Sequence, residues 1–183
     1  MRKTQQILIV GTNGTGKSTV VGRLIDKKLE AGGRALIVSN HQNEWTDTEQ
    51  IDLSDKKEIR NFTGTRRTHL LPKQLPLLLN IHNCIIVFDD ARNFISAKTD
   101  DALNNLQISR RQKMIDIVVV AHSFSQMPIS FFTFATHYIL FKTVVSAKNR
   151  KNYVADIDKV LDVEQRVNSR AVTEPHYFEI ITL

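Results

Sequence analysis

"ILIVGTNGTGKSTVV", residues 7–21, sets a short apolar run against three glycines, a lysine and a row of hydroxyl residues. The run is continuous, the pattern of a strand covered on both faces. Behind it, Gly11, Gly14, Gly16, Lys17 and Ser18 fit the spacing G-x-x-x-x-G-K-[ST]. Glycine lets the backbone turn sharply and aim several N–H groups at one point. The helix N-terminus that follows adds partial positive charge there. The loop Gly11, Thr12, Asn13, Gly14, Thr15, Gly16, Lys17, Ser18 and Thr19 is therefore expected to cradle the phosphates of ATP. Lys17 would reach the β- and γ-phosphates, and the Ser18 hydroxyl would bind Mg²⁺. The bland alternative is a glycine turn with a solvated lysine. A strand before the loop and a helix after it favour the cradle.

The helix is expected from about Gly16, with Val20, Val21, Leu24, Ile25 and Leu29 on one face and Gly32-Gly33 as its stop. Further strand-like runs are "RALIVSN" (34–40), "CIIVFDD" (84–90), "DIVVVAHS" (116–123) and "HYILFKT" (137–143), after "QQILIVG" (5–11). A second helix is expected over 99–114, opened by "TDD" and carrying Leu103, Leu106 and Met114. A third is expected over 155–168, with "HYFEIITL" (176–183) as a closing strand. The polar stretch 41–80, punctuated by Pro72 and Pro76, carries no clear period. These elements predict one α/β domain spanning 1–183, with a mainly parallel sheet flanked by helices.

Composition narrows the class. An apolar fraction of 42% over 183 residues suits a globular chain with a real core. No apolar run approaches the ~20 residues of a membrane helix, and the start "MRKTQQILIV" reads as a first strand instead of a signal peptide. No membrane role and a cytoplasmic location are therefore expected. The single cysteine, Cys84, excludes an internal disulfide and a multi-thiolate zinc site, and the six histidines show no ligand spacing. The net charge of +6 favours polyanionic partners.

"CIIVFDD" delivers Asp89 and Asp90 to the C-terminal edge of a buried strand, where ligands sit in open α/β sheets. Asp89 is the candidate for the Mg²⁺ shell. Asp90 stands where many ATPases carry the glutamate that polarises the attacking water. An aspartate is one C–C bond shorter, about 1.5 Å, so a second carboxylate, Glu44 in "SNHQNEW", stays in play behind Asp90. "RRQKMIDIVVVAHS" (110–123) puts Arg110 and Arg111 before a buried strand and His122 with Ser123 at its end. His122 could report the γ-phosphate or be an ordinary hydrogen-bonded histidine. The arginines could be a solvated helix end or supply a finger to a neighbouring subunit.

The order of P-loop, "IIVFDD" strand, Arg111, sensor strand, His122, Pro128 and "HYILFKT" resembles the HerA/FtsK superfamily, and most of all its small viral genome-packaging ATPases. The resemblance spans roughly residues 5–145. It implies a RecA-like P-loop NTPase fold and a homo-oligomeric ring that moves double-stranded DNA. It also implies a capsid or portal-vertex protein as a further partner, and a catalytic glutamate after the second strand, the place of Glu44. His122 stands where glutamine is common in that family, and Asp90 where glutamate is usual. Arg66-Arg67 and "KNRKNY" (148–153) are candidate DNA contacts or plain solvated surface. Two other readings remain: an assembly or secretion ATPase of the filamentous-phage type, and a small nucleoside kinase suggested by "FDDARNF".

Overall fold

Apolar side chains at successive strand positions turn to opposite faces, and in this protein both faces are covered. The computed structural model describes residues 3–39, 44–90 and 100–183. Residues 40–43 of "SNHQNEW", residues 91–94 of "FDDARNF", the first residue of the 99–114 helix and the first two of the chain lie outside them. Strands β1 (Gln6–Val10), β2 (Arg34–Ser39), β3 (Thr65–Thr68), β4 (Cys84–Asp89), β5 (Asp116–Ala121), β6 (His137–Leu140) and β7 (Glu179–Thr182) form one sheet in the order β3-β2-β4-β5-β1-β6-β7. All neighbours pair in parallel except β6 and β7. The sensor strand β5 lies between the P-loop strand β1 and the acid-bearing strand β4, which is the RecA-like arrangement.

On one face Ile7, Ile9, Ile37, Val87 and Val120 pack under Val20, Val21 and Ile25 of α1 (Lys17–Glu30). On the other, Leu8, Leu36, Ile86 and Val119 meet α2 (Lys56–Asn61), α3 (Asp100–Ser109), α4 (Ile157–Arg170) and the 3-10 turn at Pro72–Asn80. Burial on both sides is why the strands read as unbroken apolar runs. Cys84 is fully buried at the start of β4, and burial pushes its thiol up to about 12. No helix among the described residues is long and apolar enough to cross a membrane.

Three expectations need correction. The 41–80 stretch holds α2, β3 and a 3-10 turn, and its Arg66-Arg67 pair lies in the edge strand β3. Arg66 pairs with Glu49 at 3.0 Å and Arg67 donates to the Glu44 carbonyl at 3.2 Å, so neither stands as a simple solvated cluster. The second helix ends at Ser109, not 114, and Met114 is 52% exposed at a φ of 55° instead of packing on the helix face. The third helix runs to Arg170.

A buried ion pair locks α1 to the sheet. Lys28 reaches Asp116 at 3.1 Å and the Met114 carbonyl at 3.0 Å, while Asp116 accepts the Gln5 N–H at 2.9 Å. Gly33 makes room for it: a Cβ there would lie 2.6 Å from the lysine stem. Removing one member of such a pair costs about 3–5 kcal/mol, because the other is left buried and charged. Lys28→Ala is therefore expected to lower Tm by roughly 10 °C in a chain of this size. A melt within about 2 °C of wild type would mean that the pair contributes nothing net.

Candidate functional site

The C-terminal ends of β1, β4 and β5 open into one cleft of about 790 Å³. It is lined by Asn13, Gly14, Thr15, Gly16, Lys17 and Ser18 of the loop after β1, and by Asp89 and Asp90 at the end of β4. His122 after β5 and Glu44 beyond β2 complete that edge. Gly11, Thr12 and Thr19 of the expected cradle shape the loop without lining the cleft. Gly11 lies so close to β6 that a Cβ would come within 2.5 Å of the Phe141 Cβ. Thr12 donates its backbone N–H to the Lys142 carbonyl at 2.8 Å, and Thr15 Oγ1 donates to the Thr12 carbonyl at 2.8 Å. Gly14 and Gly16 hold φ values of 75° and 98°, which only glycine adopts without strain.

Lys17 folds back over the loop, its Nζ donating to the Gly11 carbonyl at 2.7 Å and the Thr12 carbonyl at 2.8 Å. Burial lowers its pKa below the usual lysine value, against the opposing pull of Asp89 and Asp90. The half-desolvated ammonium can pair with phosphate oxygens, while the two carboxylates beside it favour a cation between themselves and a bound phosphate. Asp90 is 8% exposed and sits at a φ of 54°, a left-handed backbone that a non-glycine residue adopts only where its surroundings impose it. Glu44 is exposed, with Ser39 Oγ donating to its Oε2 at 3.4 Å.

The Ser18 hydroxyl and the Asp89 carboxylate, on two elements of the same cleft, are hard oxygen donors. Such a sparse pair suits Mg²⁺, which keeps several waters and takes its remaining ligands from phosphates.

Two cleft residues were not singled out by sequence. Trp45, the only tryptophan in the chain, donates its indole N–H to Asp89 Oδ2 at 2.7 Å and so fixes that carboxylate. A lone aromatic beside Glu44 in a polar stretch was the available signal. His176 comes from the segment leading into β7, and its ring lies 3.5 Å from where a Gly16 Cβ would stand. Nothing local marks it.

The structure brings together Lys17, Ser18, Asp89, Asp90, Glu44 and His122. It does not bring Arg111 to them. Arg111 is exposed in the turn after α3, at the opposite edge of the sheet, where Lys113 accepts the Asn83 N–H just ahead of β4. Arg110 is buried and donates to the Phe134 carbonyl at 3.4 Å. Burial, reinforced by the Arg111 charge, lowers its pKa.

No curated protein matches the chain. Among solved structures it resembles the genome packaging NTPase B204 from Sulfolobus turreted icosahedral virus 2. In complex with AMP the TM-score is 0.70 at 14% identity, covering 100% of this chain and 94% of that one. In complex with ATP-gammaS the values are 0.68 and 13%, covering 98% of both. It also resembles the N-terminal domain of zonular occludens toxin from Neisseria meningitidis, with a TM-score of 0.53 at 17% identity, covering 100% and 95%. The resemblance to HerA/FtsK-type ATPases drawn from sequence is thus borne out in the fold. A family model described as an AAA domain matches residues 1–126, and the chain belongs to that family of P-loop NTPases.

Proposed function

We propose that the chain hydrolyses ATP with Mg²⁺ and moves double-stranded DNA as one subunit of a homo-oligomeric ring, the motor of viral genome packaging. It would work as a single domain in the cytoplasm, docked on a capsid or portal vertex. The observation that carries the hydrolytic part is the convergence of Lys17, Ser18, Asp89, Asp90, Glu44 and His122 in one cleft at the strand ends.

Each residue then has a role. Backbone N–H groups of Asn13 to Ser18 hold the phosphates, and Lys17 meets the β- and γ-phosphates. Ser18 and Asp89 would hold Mg²⁺, which would neutralise the negative charge that develops on the phosphates. Trp45 keeps Asp89 in place. Asp90 orients the attacking water and takes its proton, and its enforced backbone supports that role over the exposed Glu44, the second candidate. His122, next to the β5 terminus, would carry the state of the γ-phosphate into the sheet.

The DNA part rests on the likeness to a packaging NTPase along nearly the whole chain, and on charge. Lys142, Lys148 and Lys151 are exposed on the segment after β6, whereas Arg150 is tied to the Ser125 carbonyl at 2.7 Å. The Lys142 carbonyl also holds Thr12 of the P-loop, so this basic segment begins at the nucleotide site. A translocase grips phosphates, so binding should ignore base sequence and weaken with salt. With about three phosphate contacts per subunit, affinity should fall roughly 40-fold between 50 and 200 mM salt. Titrating labelled duplexes of unrelated sequence in ADP, in a non-hydrolysable ATP analogue and without nucleotide checks this. Equal, negligible binding in all three states at low salt would overturn the translocase reading.

A further inference from the structure

The phosphate end of the cleft is defined by Lys17 and the carboxylates, over β4 and β5. The cleft runs from there past the loop to His176, on the side of β1 that β6 and β7 occupy, which leaves that side for the nucleoside of a nucleotide whose terminal phosphate lies by Lys17. The segment standing there is Glu174–Phe178. It lines a shallow depression of about 380 Å³ that shares His176 with the main cleft.

Its residues are divided in their duties. Phe178 packs against Phe141 with ring centroids 5.0 Å apart, which ties the segment to the strand end that Gly11 touches. Tyr177 is covered by the Arg170 guanidinium at 4.2 Å and donates its hydroxyl to Glu179 at 3.2 Å. The His176 ring is left exposed, close against Gly16 at the mouth of the phosphate loop, with Pro175 beside it. A flat ring next to a proline, set by rigid neighbours, is a stacking platform that any purine or pyrimidine face can use.

We infer that His176 and Pro175 form the nucleoside subsite, on which the base of the bound nucleotide stacks. This deepens the nucleotide-binding reading above and rests on it. Base stacking of this kind contributes enough to change affinity roughly tenfold. The test compares ATP with inorganic tripolyphosphate, which has the phosphates and no nucleoside, by equilibrium titration without Mg²⁺-dependent turnover. His176→Ala is expected to weaken ATP roughly tenfold and leave tripolyphosphate unchanged, and His176→Phe to restore ATP binding by keeping a ring. Loss of both ligands without rescue by phenylalanine would make His176 a phosphate contact and overturn the subsite, as would unchanged ATP affinity in His176→Ala. Wild-type protein that bound neither ligand would instead overturn the nucleotide reading itself, a result distinct from either.

Discussion

Lys17→Ala is expected to reduce ATP turnover by at least about 10²- to 10³-fold, the loss typical when one preorganised donor to developing transition-state charge is removed. The geometry argues for the upper end. The ammonium is already half desolvated and held by two loop carbonyls, so little reorganisation is needed when phosphate oxygens replace them. Among the described residues, nothing else lining the cleft is a lysine or arginine. The variant should fold, because alanine favours the first turn of α1 and the Gly11 and Thr12 carbonyls lie beside an open cleft where water can replace the lysine. Phosphate release, measured alongside a thermal melt, checks both halves. Turnover within about tenfold of wild type in a folded variant would remove Lys17 from the phosphate site, since the effect would fall below that of one such donor.

The centre of the sheet was legible because β1, β2, β4 and β5 are buried on both faces and have wholly apolar interiors. That rule fails at β3. "TRRT" is the outermost named strand, paired along β2 and bridged on its far side only at Gln50, so a four-residue strand tolerates two arginines that the sequence left open as DNA contacts or solvated surface. The end of α3 was overrun for a different reason. "RRQKM" contains no helix breaker, and the chain leaves the helix to meet distant partners: Asn83 donates to Lys113, and Lys28 to the Met114 carbonyl. Contacts across such distances in sequence have no local signature.

The site divides along the same line. Lys17, Ser18, Asp89, Asp90 and His122 sit directly after apolar strands, and in a parallel sheet all those ends face one edge. Trp45 and His176 reach the cleft through loops. The position of His176 depends on β7 pairing antiparallel to β6, which returns the chain to the P-loop. Lys28 and Asp116 lie 88 residues apart, and nothing local to either one marks the buried pair they form.

The same edge rule bears on Arg111. β5 runs from Asp116 to Ala121, about 17 Å at 3.3 Å per residue, and Arg111 precedes its first residue. An arginine side chain reaches roughly 7 Å, so Arg111 does not serve the cleft of its own subunit. Arg110 is turned into the core. If the chain works as a ring, Arg111 is an exposed guanidinium that a head-to-tail contact could carry to a neighbour's γ-phosphate, where such a finger contributes about 10³–10⁵ in rate. Arg111→Ala should then lose activity on that scale while keeping ATP affinity and Tm, since the side chain is solvated in the free subunit. Mixing it with Lys17→Ala supplies the sharper result. In a randomly mixed ring, about a quarter of interfaces join an intact P-loop to an intact Arg111, so turnover should return to about that fraction although neither variant is active alone. Mixed assemblies that form, as shown by mass, yet stay inactive would exclude action in trans at this residue.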